Sequence, residues 1–582
     1  MSDTMWNYVK KYIFFAIAAA LFMAAEVLMD LLLPGLMQSI VDDAVLGIGR
    51  KGVSDTSLVC RLGLIMAVIA AAGGICGSMN NVFVQIASQN IGNAMRKDCF
   101  RRCMGFSFQQ MDRLGIGSLI TRLTYDITQV QTFIAQFVRG GVRTAMMLGG
   151  SVWFMFMLNR QFGLIVLAVM PLLLSCIVFC IARVMPLFPK MQAQLDRLNE
   201  IIQEDASGLR MIKACSRETY EELRFGNASK ALAGTMMKTL LLFACMNPVM
   251  NLLMSMAIVA IIYAGSLQVG SGAATPGAVM AGITYTARLL NALLMLMMLF
   301  QNITRGYASW KRVRKILMTE PEMLDGPFDG ETELRGQVEF RDVSFSFHGA
   351  EHPVLQHVSL TIHPGETVAV MGATGSGKTT MLSLIPRFYD VSKGCVLVDG
   401  VDVRQYRLSA LRRKTAFALQ KSELFSTSLK DNIAWACPDA PDKDIARAAE
   451  IARLSDFINL SDEGWNMPVA ERGMSLSGGQ RQRVSIARTL LKKAEILLLD
   501  DATSALDLKT EAELEKALGS ATPKMTRIIV AQRVASVRGA DRIIVLDHGG
   551  IAGCGTHETL LQSCPAYKEI CSSQLGGSDG SD

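Results

Sequence analysis

Six apolar stretches, each long enough to cross a lipid bilayer as a helix, fill the first part of the chain, near 12–34, 61–85, 134–158, 161–185, 241–268 and 277–303. A bilayer core takes about 20 helical residues, and a span must satisfy its own backbone polar groups. That excludes a water-soluble fold for this half and requires a helical membrane domain. Composition agrees. Half of the 582 residues are hydrophobic, only 19% are charged, and mean hydropathy is +0.30. Soluble chains of this length carry more charge. Trp6, Tyr8 and Tyr12 beside Lys10 and Lys11 form an interfacial anchor ahead of the first span. That span is too long for a secretory signal, contains Glu26 and Asp30, and lacks a clean cleavage site, so it is expected to be retained.

The links between spans alternate in length. Those after the first, third and fifth are short. The others, 86–133 and 186–240, are long, basic and helical in pattern. The positive-inside rule puts both in the cytoplasm, with the N-terminus and everything after the sixth span. The spans are therefore expected to continue as helices well beyond the bilayer. The net charge of +6 forms no single basic block, which argues against nucleic-acid binding. The 13 cysteines are scattered, form no CxxC pair and often sit in apolar runs (Cys176, Cys180, Cys245), so they read as small buried hydrophobes.

The pattern divides the chain into a membrane domain (1–305), a linker (306–334, with breakers Pro321, Gly326 and Pro327) and a second domain (335–582). There, short β-rich runs (VEFRDVSFSF, ETVAVMG, ILLLD, RIIVAQ, RIIVLD) alternate with charged helical segments. That is an α/β domain with parallel strands in its core sheet.

Residues 372–379 read GATGSGKT, after the apolar strand TVAVM and before a helical TTMLSLIP. This is a P-loop in its strand–loop–helix setting. Gly372, Gly375 and Gly377 free the backbone to turn N–H groups toward phosphates, and the helix start adds its positive end. Lys378 reaches the β- and γ-phosphates, and the Thr379 hydroxyl suits Mg²⁺. A second apolar strand, ILLLD, ends in Asp500, a Mg²⁺-binding carboxylate if it lies beside the P-loop strand, as expected here.

Between these motifs lies LSGGQ (476–480), followed by RQRVSIARTLL. It resembles the signature of ABC transporters, and the likeness spans essentially the whole chain. Six helices then one ATPase domain is similar to a half-exporter of the multidrug and lipid-flippase type. The resemblance implies a fold of six transmembrane helices followed by an α/β P-loop ATPase, with ATP and Mg²⁺ as cofactors. It implies ATP contacts from Phe347 (usually Tyr, here without its hydroxyl), Gly372, Thr374, Gly375, Ser376, Gly377, Lys378, Thr379 and Thr380. It adds Gln420 as Mg²⁺ sensor, so the metal set is Thr379, Gln420 and Asp500. Ser477, Gly478, Gly479 and Gln480 are implied to complete the site of a partner chain, because the family buries two ATP molecules between two head-to-tail ATPase domains. AERG (470–473) resembles the exporters' cross-linking loop, and SALD (504–507) the loop between paired sites. FSFQQMDRLGIGSLITRLTYD and GLRMIKACSRETYEELRF look like the two coupling segments.

Two positions depart from the family. Its catalytic glutamate is replaced by Asp501, shorter by a methylene, where a base must lie within ~2.6–3.2 Å of the water it activates. Its switch histidine is replaced by Gln532, which donates a hydrogen bond but cannot become cationic. Together they mark this chain's own site as degenerate, slow in hydrolysis, with an intact signature that serves a partner. A heterodimer with a competent second half-transporter is expected, a homodimer being the alternative.

Charged residues inside spans are costly and often functional. Glu26 and Asp30 share a face of the first span, Arg288 sits mid-way in the sixth, and Arg139 and Arg143 lie in the third. They form either a polar cavity for charged or amphipathic cargo or structural interhelical pairs. Met is abundant (35 residues, with LLMLMMLF in the sixth span), and Asn247–Pro248 marks a hinge in the fifth. The expected activity is export of drugs, lipids or other hydrophobic compounds across a bacterial inner membrane. A peptide exporter is an alternative, disfavoured because no peptidase-like segment precedes the first span; a regulatory ATP-binding subunit gating a partner is another.

Overall fold

The computed structural model describes residues 3–48, 54–347, 349–522 and 524–575, and packing divides them into two units. The first holds the residues up to Cys103 and Gly117–Thr319; the second holds Met104–Ile116 and the chain from Glu320 onward.

Among the described residues, six helices of the first unit are long and apolar enough to cross a membrane. They are α1 (Ile13–Val45), α2 (Thr56–Met104), then, after the short α3 (Phe108–Leu114), α4 (Ile116–Leu158), α5 (Arg160–Ala214), α6 (Glu218–Gly270) and α7 (Pro276–Met318). The 53 residues of α6 measure roughly 80 Å at 1.5 Å each, against a hydrocarbon core of about 30 Å. The long basic links are thus mostly the projecting ends of these helices. Residues 306–318, read above as the start of a linker, continue α7. α6 runs on both sides of Pro248.

Met23, Val27 and Leu31 repeat every four residues along α1 and pack with Phe162 and Leu173 of α5 and Tyr285 and Leu289 of α7. In lipid such a stripe gains little from the hydrophobic effect, so close packing and polar contacts carry the association. Asn80 donates to the Ala19 carbonyl (2.6 Å). Arg312 of α7 forks onto the buried Asp126 of α4 at 2.8 and 2.5 Å. Pro34 has no N–H, so the carbonyl of Asp30, four residues back, loses its helical donor. Arg288 of α7 donates to that carbonyl. The Tyr285 hydroxyl donates to the next one, Leu31 O, at 2.7 Å.

Among its described residues, the second unit contains two sheets. One is antiparallel, of β1 (Val338–Phe345), β2 (Leu355–Ile362), β4 (Lys393–Val398) and β5 (Val401–Asp402), in the order β2-β1-β4-β5. The other takes β3 (Thr367–Gly372), β6 (Thr415–Ala418), β7 (Ile496–Asp500), β8 (Thr526–Val530), β9 (Arg542–Asp547) and β10 (Gly550–Gly555), in the order β10-β9-β3-β8-β7-β6. Its neighbours from β9 to β6 are parallel. β3 and β7 are unbroken apolar runs, as burial on both faces requires. β7 does not lie beside the P-loop strand, contrary to expectation; β8 separates them. An apolar run marks a strand as buried but says nothing of its neighbours, which the crossover connections decide.

α3 sits between two membrane helices in sequence but packs with the second unit. The Phe108 ring centroid lies 4.8 Å from that of Phe388, and the Tyr389 hydroxyl donates to Asp112 (3.1 Å). Ser107 and Gln110 form a capping box at its start, and Gln110 also donates to the Glu320 carbonyl (2.7 Å).

Candidate functional site

The loop after β3 has three glycines at positive φ: Gly372 (147°), Gly375 (86°) and Gly377 (98°). A Cβ on Gly372 would stand 2.1 Å from the Leu546 carbonyl oxygen. Gly377 begins α8 (Lys378–Leu384) in the left-handed region, where side chains are disfavoured. Within this loop the Ser376 hydroxyl is buried and has no hydrogen-bond partner. A buried hydroxyl without a partner is costly, so the loop is built for a hydrogen-bonding ligand. Thr374 and Gly375 are exposed at its rim, and Thr380 is buried in α8. Lys378 Nζ donates to the carbonyls of Gly372 (2.9 Å) and Ala373 (2.8 Å). Burial pulls its pKa below the usual lysine value, while Asp501 and Asp500 oppose the shift. The donor set and the orphaned hydroxyl fit a nucleotide's phosphates.

Although β7 is one strand removed, its end reaches the loop. Thr379 Oγ1 donates to Asp500 Oδ1 at 2.9 Å. Asp500 is 1% exposed, and burial raises its carboxyl pKa against the opposing Thr379 hydrogen bond. Thr379 and Asp500 thus offer adjacent oxygens of the kind that hold Mg²⁺. Gln420 lies in the loop that follows β6. Its amide donates to Asp501 Oδ2 (3.3 Å), and that of Gln532 donates to the same oxygen at 2.9 Å. Asp501 has φ 51° and is 7% exposed. The two departures noted in sequence are therefore direct partners. Phe347 presents a half-exposed ring, edge-on to Phe345 and Tyr389.

The signature segment begins α9 (Gly478–Leu491). Ser477 caps it, accepting from Gln480 N (3.3 Å) while Gln480 Oε1 accepts from Ser477 N (2.8 Å). Gln480 is thus committed to the cap. Ser477 is exposed, so the start of α9, with Gly478 and Gly479, opens outward.

In the membrane unit, Glu26, Asp30, Arg143 and Arg288 converge from α1, α4 and α7. Arg143 pairs with Glu26 (2.9 Å) and Asp30 (3.6 Å). Asp30, Arg143, Thr144, Arg288, Asn291 and Met295 line a cavity of about 220 Å³. Arg139 instead donates to Asn81 (3.0 Å).

A family described as ABC transporter transmembrane region matches residues 12–293, and one described as ABC transporter matches 355–504. The chain is 35% identical over 571 residues, 98% of both chains, to the uncharacterised ABC transporter ATP-binding protein YfiB of Bacillus subtilis. The structure of a bacterial Atm1-family ABC exporter with ATP bound superposes with a TM-score of 0.81 at 25% identity, covering 97% of this chain and 99% of that one. The chain is an ABC exporter half-transporter. An ATP-dependent lipid A-core flippase of Vibrio vulnificus is 31% identical over 573 residues, 98% and 97% of the two chains. The exporter is a multi-pass membrane protein whose ATPase domain couples ATP hydrolysis to transport.

Two residues beside the candidate site carried no signal in the sequence. Gln482 donates to Ser504 Oγ (3.0 Å) and accepts from Ala505 N (2.9 Å), stitching α9 to the SALD loop. Glu511, 4% exposed on α10 (Leu508–Ala521), accepts from Thr503 (2.6 Å), Ser536 (2.6 Å) and Arg533 (3.2 Å). It ties the loop after Asp501 to the loop after Gln532. Both are ordinary polar residues in helices, and no local pattern singles them out.

Proposed function

We propose that this chain is the slow-site half of a heterodimeric exporter for lipid-like or other amphipathic compounds. The observation that carries the reading is the Asp501 carboxylate, one methylene short of glutamate and held by the amides of Gln420 and Gln532. A carboxylate tied in this way is a poor base for a water beyond it. In this reading ATP rests on the P-loop set Gly372, Thr374, Gly375, Ser376, Gly377, Lys378, Thr379 and Thr380, with Phe347 on the adenine. Thr379, Asp500 and Gln420 would hold Mg²⁺, which would offset the negative charge of the phosphates. Ser477, Gly478 and Gly479 complete the partner's site, and hydrolysis there resets the transporter while this site stays loaded.

By the positive-inside rule, the basic links support a cytoplasmic N-terminus and ATPase domain in a bacterial cell. The name of the Vibrio relative and a cavity that sets the polar groups of Asp30, Arg143 and Arg288 beside Met295 both support cargo with a polar head and an apolar body. The test compares ATP turnover of the purified chain with that of the double variant Asp501→Glu, Gln532→His, and pairs it with ATP-dependent uptake into inverted vesicles. Low wild-type turnover that rises at least tenfold in the double variant is expected. Robust turnover by the chain alone sinks the slow-site reading. Nucleotide binding without uptake in the presence of any partner favours the regulatory subunit.

A further inference from the structure

The last described helix, α11 (Pro565–Leu575), has a rooted start. Tyr567 is fully buried, its hydroxyl is 2.7 Å from His557 Nδ1, and Cys571 joins the same cluster as Met371, Val537 and Ile543. The other end of α11 reaches the segment after β8. There Gln574 Nε2 donates to the Gln532 carbonyl (2.6 Å), and Gln574 Oε1 accepts from the Val534 N–H (2.8 Å). One side-chain amide thus brackets three residues, Gln532 to Val534.

The local sequence explains why an outside group is needed. Val534–Val537 form a short helix whose N-cap is Arg533. An arginine side chain has no acceptor for the free N–H groups of a helix start, a role that Ser, Thr, Asp or Asn normally fills. Arg533 instead donates to Glu511 and to the Leu506 carbonyl (both 3.2 Å). The missing acceptor comes from Gln574, 40 residues further along the chain. The backbone of Gln532 is therefore held from one side by Gln574, while its side chain is spent on Asp501 (2.9 Å).

We infer that Gln574 is a positioning residue for the nucleotide site, acting through Gln532, and that the C-terminal helix thereby sets how tightly this site keeps its nucleotide. The inference rests on the reading above that Gln532 stands in the nucleotide site at the position of the family's switch histidine. Gln574 is exposed, so replacing it with methionine keeps the side chain's length while removing both hydrogen bonds.

The experiment measures dissociation of Mg²⁺ and a fluorescent trinitrophenyl-ATP from the full chain in lipid nanodiscs. Four proteins are compared: wild type, Gln574→Met, Gln532→Ala and the double variant, with thermal unfolding midpoints recorded for each. Gln574→Met is expected to speed dissociation about threefold to tenfold, the scale of one or two hydrogen bonds. Gln532→Ala should do at least as much, and the double variant no more than Gln532→Ala alone. Equal release by Gln574→Met and wild type, with faster release by Gln532→Ala, overturns the inference and leaves the reading of Gln532 standing. Additive effects overturn it too, because Gln574 would then act elsewhere. No change in any variant removes both.

Discussion

The Gln532 side-chain amide donates a hydrogen bond to the Asp501 carboxylate across 2.9 Å. Residues in such contact do not contribute independently. We expect Asp501→Glu alone to raise turnover of the purified chain less than about fivefold, because the longer carboxylate still meets the Gln532 amide. Adding Gln532→His should raise it further than the two single changes predict together. The coupling expected for touching residues is about 0.5–3 kcal/mol. A steady-state ATPase double-mutant cycle measures it; strict additivity would count against the contact as the cause.

The Arg288 hydrogen bond to the Asp30 carbonyl substitutes for the donor that Pro34 removes from α1. Arg288→Met should therefore lower the stability of the membrane unit by about 1 kcal/mol, the low end of the cost of orphaning an acceptor, because this carbonyl is only part-buried. In a Pro34→Ala background the helix restores its own donor, and most of that loss should disappear. Thermal unfolding in detergent of the four variants decides it. An identical loss in both backgrounds would show that Arg288 matters for its charge at the cavity instead.

Glu515 on α10 is half-buried and lies near Glu511, and these effects push its carboxyl up to about 7 from the usual 4.5. The sign follows from proton binding. Between pH 4.5 and 7 the unfolded chain has lost this proton while the folded chain keeps it. Stability therefore falls as pH rises through that window and levels off above it. We expect Glu515→Gln to flatten the slope and stabilise the protein at pH 8 by about 1–3 kcal/mol. Urea unfolding of both proteins at pH 5 and pH 8 provides the check; an unchanged pH dependence would contradict the assignment.

Phe108 and Asp112 grip Phe388 and Tyr389 through ring contact and a hydrogen bond. We expect Phe108→Ala to leave nucleotide binding within about twofold of wild type but to cut vesicle transport at least tenfold. Loss of a large aromatic contact costs about 3–5 kcal/mol where it is buried, and less at this partly exposed position. Parallel loss of nucleotide binding would mean that the change damages the ATPase fold instead of its connection to the helices.

The spans, the P-loop and the signature were legible because each depends on local pattern. Lipid demands long apolar runs, and phosphate loops demand glycine at fixed offsets. What sequence left open depends on partners distant in the chain. GATGSGKT announces its own geometry, but nothing in ILLLD reveals that β8 separates it from β3. Glu26, Asp30, Arg143 and Arg288 were visible as charges in apolar runs. Which of them pair became clear only from three helices brought together. Glu511, Gln482 and Gln574 gave no signal, because a polar helix residue looks the same whether it faces water or ties two loops.

The placement of α3 among the residues from Glu320 onward bears on how the protein is made. A ribosome producing 5–20 residues per second completes Phe108 roughly 15–55 seconds before it adds Phe388 and Tyr389. During that interval α3 has no surface to dock on. The ATPase domain, in turn, finishes folding against a piece of chain synthesised long before it. Production of the two halves is therefore ordered: α3 must stay free until the ATPase domain has been made. An ATPase fragment started after the last span would lack part of its own surface.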